Sequence, residues 1–114
     1  MEALNRERGQ VKSKVTRATG KIEALVVDEK DLCYFEESLA STDRFQVEYD
    51  EIRRQILAEL ARLASTGEKT SAELDALYEE QGLKLEEIQE GIVGLRSILK
   101  GIIKSKQPNP NPNS

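Results

Sequence analysis

Few side chains here could take part in a reaction, and the missing types matter as much as those present. The one thiol, Cys33, lies in "DLCYFEESL" beside an aromatic pair. A nucleophilic cysteine needs a base or a cation to hold it as thiolate. No histidine occurs in the 114 residues, so neither a Cys–His pair nor a histidine-containing zinc site can be assembled. Cys33 therefore reads as a partly buried structural thiol. Glu36–Glu37, Glu79–Glu80 and Glu86–Glu87 could share a proton or a metal if each pair converged. Adjacent residues on a helix point about 100° apart, which leaves each pair as solvated charge. Gly91, Gly94 and Gly101 follow no strand and make no phosphate-cradling loop. Arg53–Arg54 stands next to Asp50 and Glu51, where local ion pairing accounts for it. These residues imply a non-enzymatic chain with no cofactor and no metal ligands.

The elements carrying these side chains are helical. Only "ALVV" at 24–27 is compatible with extended structure, and no useful apolar–polar alternation occurs. Apolar residues make up 38% and charged residues 33%, which suits long thin helices sharing a narrow seam better than a thick layered core. The net charge of −4 argues against nucleic acid as the main ligand, although basic residues 6–17 leave a weak RNA contact open. The chain alternates basic, acidic and basic blocks: residues 1–20, 31–52 and 91–106. Segments folded back on one another would pair these blocks. One cysteine, a polar first 24 residues and no apolar run near the ~20 needed to span a bilayer point to an intracellular, cytoplasmic protein.

Three helices are expected, over about 4–26, 31–64 and 71–105, in a single domain of residues 1–106. In the first, Leu4, Val11, Val15, Ala18, Ile22 and Leu25 share one side. "DEKD" at 28–31 opens the second, and "STD" at 41–43 is a candidate interruption of it. "STGEKTS" at 65–71 is the clearest turn, with Gly67 as C-cap and Thr70 or Ser71 as the next N-cap. The third helix carries an unbroken four–three seam: Leu74, Tyr78, Gln81, Leu85, Ile88, Ile92, Leu95, Leu99 and Ile102. Gln81 is its polar member and would favour one register. Residues 107–114, "QPNPNPNS", read as a disordered Pro/Asn tail.

Residues 92–106, "IVGLRSILKGIIKSK", admit two readings. The apolar arc, with Arg96, Lys100, Lys104 and Lys106, could lie on a membrane or another anionic surface. The seam, however, begins at Leu74 and runs through this basic segment unbroken, which favours a partner helix over lipid.

The first sixty residues resemble a known family. "LNRERGQVKSKVTRATGKIEAL", an acidic break and "FEESLASTDRFQVEYDEI" are similar to the N-terminal Gag region of BEL/Pao-type retrotransposon polyproteins. Leu4, Arg8–Gly9, Lys14 and Thr16–Arg17 match its opening pattern, and Phe45, Asp50, Glu51 and Ile52 match its second phrase. The resemblance implies a helical, non-enzymatic assembly region that works around element RNA, and it carries over no catalytic or ligand residue. It covers about residues 4–60, the region after Gly67 does not match, and no zinc knuckle, protease or polymerase pattern is present.

The expectation is an all-α, elongated antiparallel helical bundle or coiled coil of two or three long helices that self-associates. Its interface would be the third-helix seam of Leu74, Tyr78, Leu85, Ile88, Ile92, Leu95, Leu99 and Ile102, met by a second copy or a partner helix. The rival roles are a membrane-surface binder acting through 92–106 and a monomeric helix-binding adaptor.

Overall fold

The computed structural model describes residues 1–25 and 27–107. It is an all-α bundle of three helices, elongated to 66 × 26 × 18 Å. Helix α1 spans Glu2–Ala24, α2 spans Leu32–Thr66 and α3 spans Ser71–Lys106. A one-turn 3-10 helix, Val27–Glu29, lies between the first two. The described part of α1 begins two residues before the predicted start, and Leu25 leaves it in an extended conformation. Val26 and tail residues 108–114 lie outside the described residues.

Local signals set the boundaries. The Asp31 side chain accepts from Tyr34 N at 3.0 Å and caps α2. Gly67 ends α2 with φ +73°, a conformation that costs glycine nothing. Thr70 and Glu73 then form a reciprocal capping box that starts α3. The "STD" segment does not interrupt α2. The Ser41 and Thr42 hydroxyls donate back to the carbonyls of Glu37 and Leu39, so they serve the helix instead of capping a new one.

Cross-helix contacts fix the directions. Lys12 pairs with Glu87 and Arg8 bonds Gln81, so α1 and α3 run parallel. Lys14–Glu48, Asp43–Arg96 and a reciprocal Gln46–Gln89 amide pair place α2 antiparallel to both. Each of the three interhelical ion pairs among the described residues joins a base from a basic block to an acid outside it. All their side chains but that of Arg96, which is 27% exposed, are well exposed, and each pair contributes at most about 1 kcal/mol. The core supplies most of the stability. Val11, Val15, Ile52, Ile56, Leu60, Leu85, Ile88 and Ile92 pack around Tyr49, while Ile22, Phe35, Leu95 and Leu99 close the other end. Phe45 packs against both groups.

Helices α1 and α3 come close at Gly91: a Cβ there would stand 3.2 Å from Val15 Cγ1. Gly94 and Gly101 serve no such approach, since open space surrounds both. Gly20 is equally open. We therefore predict opposite outcomes for two substitutions. Gly20→Ala should add about 1 kcal/mol through helix propensity. Gly91→Leu should cost about 1–3 kcal/mol by wedging the helices apart. Urea midpoints read both, and a neutral Gly91→Leu would refute the close packing.

Candidate functional site

The third-helix seam meets this chain's own helices. Leu85, Ile88, Ile92, Leu95 and Leu99 are at most 4% exposed, covered by α1 and α2. Gln81 is also buried. Its amide donates to Asn5 Oδ1 at 2.9 Å and its Oε1 accepts from Arg8, which also donates to Asn5 at 3.2 Å. A polar seam residue thus fixes the level of α1 against α3. Of the remaining seam residues, Leu74 and Ile102 are half-buried and Tyr78 is 42% exposed. Only the end of the seam near the α2–α3 turn keeps an apolar residue well open to solvent.

The four cations of 92–106 do not form one patch. Arg96 reaches Asp43 at 3.5 Å, and Lys106 sits over the Phe35 ring at 5.6 Å. Lys100 and Lys104 remain exposed. The apolar arc a membrane would need is largely inside the bundle, leaving Ile98 as its exposed member. Among the described residues no helix is long and apolar enough to cross a membrane.

Cys33 is exposed, which corrects the expected partial burial. It lies on the outer face of α2, four residues from Glu37, to which its thiol donates at 3.7 Å. The Glu37 carboxylate raises the thiol pKa, with further contributions from desolvation and from Asp31 and Glu36. The geometry therefore disfavours the thiolate. Arg53–Arg54 also divides differently from expectation. Arg54 clasps Glu51 with bonds of 2.6 and 3.1 Å, holding that carboxyl down to about 2. Arg53 makes no ion pair among the described residues.

Arg53 faces a groove between α2 and α3, on the side away from α1. The groove encloses about 290 Å³ over a floor of Tyr49, Leu60 and Leu85. Leu57, 37% exposed, forms its α2 lip near the turn, and Tyr78 forms its α3 lip. Between them Gly82 contributes no side chain and leaves the groove open. The Gln46–Gln89 amide pair, with bonds of 2.9 and 3.1 Å, bounds the end farther from the turn. Burial raises the Tyr49 pKa; Arg53 opposes that shift, and Asp50 and Glu86 add to it. Arg53 and Glu86 thus act on one phenol from opposite walls without forming an ion pair.

Comparison with protein-family models, curated proteins and solved structures finds no match to this chain. The reading of the site therefore rests on its own geometry. Sequence reasoning placed Tyr78 at an interface but missed Leu57, Gly82 and the unpaired Arg53 and Glu86. Leu57 did leave a signal. It directly follows the core residue Ile56 and so adds an apolar side chain off the buried stripe of α2.

Proposed function

We propose that this chain is a non-enzymatic helical assembly module that associates with further copies of itself. One observation carries the reading. The bundle closes its core with the third-helix seam, yet Leu57 and Tyr78 remain outside it as the two lips of one groove. Scattered surface apolar residues are ordinary, whereas apolar residues gathered around a concave floor suit an interaction face. The likeness of residues 4–60 to a Gag N-terminal region agrees with an assembly role, and a reducing, cytoplasmic setting suits the free Cys33 thiol. Lipid is the weaker partner, because a membrane helix would have to withdraw Ile92, Leu95 and Leu99 from the core.

The test is solution mass by light scattering across a wide concentration range in moderate salt. A dimer or larger species that grows with concentration is expected. A monomer throughout would end this reading and leave the groove to a different protein.

A further inference from the structure

We propose that the groove between α2 and α3 is the self-association surface, and that two copies pack there side by side with their α2–α3 turns at the same end. The inference rests on the assembly reading above and gives it an interface and an orientation.

The unpaired charges choose the orientation. Arg53 stands on the α2 wall and Glu86 on the α3 wall of the same groove, and neither has an ion-pair partner among the described residues. A two-fold axis running along the groove lays α2 of one copy over α3 of the other. Arg53 of each copy then faces Glu86 of its mate, so the axis creates two equivalent ion pairs around the apolar strip. An axis running across the groove lays α2 on α2, sets Arg53 against Arg53 and leaves both glutamates facing each other. Like charges disfavour that alternative.

The apolar chemistry fits the same arrangement. Gly82 leaves a dent in the α3 wall with nothing within 4 Å of a Cβ placed there. Leu57 projects from the opposite wall. When α2 lies over α3, Leu57 of one copy comes over the Gly82 side of the other, and the Tyr78 rings flank the contact. This is the self-complementarity that a closed two-fold interface requires.

The experiment measures dimer dissociation for the parent chain, Arg53→Glu, Glu86→Arg, and an equimolar mixture of the two variants. Circular dichroism confirms that both variants stay helical, as substitutions at exposed positions should allow. Each variant alone sets like charges against each other at both pairs, and its dimer is expected to weaken by roughly tenfold or more. The mixture restores opposite charges at both pairs, so a heterodimer of near-parental affinity is expected. Gly82→Gln fills the dent and should also weaken association while leaving the monomer folded. If the parent dimerises but neither charge variant weakens it, this interface is wrong and the assembly reading survives. If Arg53→Gln, which removes the charge without reversing it, strengthens the dimer, the crossed arrangement is the true one. A parent that stays monomeric removes both proposals.

Discussion

The Ile92→Asp variant is expected to lose its fold, not merely its association. Ile92 is fully buried, in the central core group with Val11, Val15, Ile52, Ile56 and Ile88. Truncating such a side chain alone costs about 2–5 kcal/mol. A carboxylate stripped of water and packed among branched apolar residues adds several more, or binds a proton to escape the charge. A domain of this size has about 5–15 kcal/mol of total stability, so the sum removes most or all of it. Far-UV circular dichroism with a urea titration reads the outcome. Tyr78→Asp, at the exposed lip, serves as the contrasting variant and should keep a cooperative transition near the parent's. If Ile92→Asp unfolds as late as Tyr78→Asp, the seam of α3 does not face α1 and α2, and the fold described here is wrong.

The second large effect is expected at Gln81. Arg8 is only 8% exposed and makes no ion pair among the described residues; its bonds go to the side-chain oxygens of Asn5 and Gln81. Gln81→Leu would remove one acceptor from a buried cation and leave Asn5 without its amide donor. About 3 kcal/mol of destabilisation is expected, near the cost of leaving a buried charge short of a partner. Arg8→Met should cost less, because the group left behind is a neutral amide. The double variant should be more stable than the sum of the two losses by about 1–3 kcal/mol, since both partners are then apolar. Urea unfolding of the four proteins closes the cycle. Additive losses would mean that Arg8 and Gln81 do not depend on each other.

The sequence made the fold legible because several local signals agree with the helical pattern. Gly67, Thr70 with Glu73, and Asp31 sit where their chemistry demands a helix end, and the structure uses each of them. The "STD" segment was ambiguous because hydroxyl residues can cap a new helix or bond back to an existing one. Burial of Thr42 decides for the latter, and burial depends on the other helices. The same limit applies at the seam. The four–three repeat shows that α3 buries a stripe, but periodicity does not say whether the cover is this chain or another. Here α1 and α2 supply it together, with Gly91 allowing Val15 to come close. Gln81 was recognisable as a register-setting residue, while its partners Asn5 and Arg8, more than seventy positions away, were not. Arg53 and Glu86 looked like ordinary members of charged doublets. Their distinction is negative: Arg54 takes Glu51 and Glu87 takes Lys12, and the other member of each doublet is left over at the groove.

The connection between α2 and α3 bears on how the chain reaches this state. Residues 67–70 join two helices of nearly equal length, whereas the contacts that dock α1 on α3 span 73 to 76 positions. Closing the short connection costs little chain entropy, and the helices it joins can zip together from the turn. The α2–α3 hairpin is therefore expected to form early, with α1 docking last and leaving first. Changes at Val11, Val15 or Arg8 are then expected to hasten unfolding and leave the folding rate nearly untouched, which folding and unfolding rates in urea would read. The groove of Leu57 and Tyr78 belongs wholly to the hairpin. If the proposed interface holds, copies of this chain would meet through it before α1 has docked, and assembly would not wait for the last step of folding.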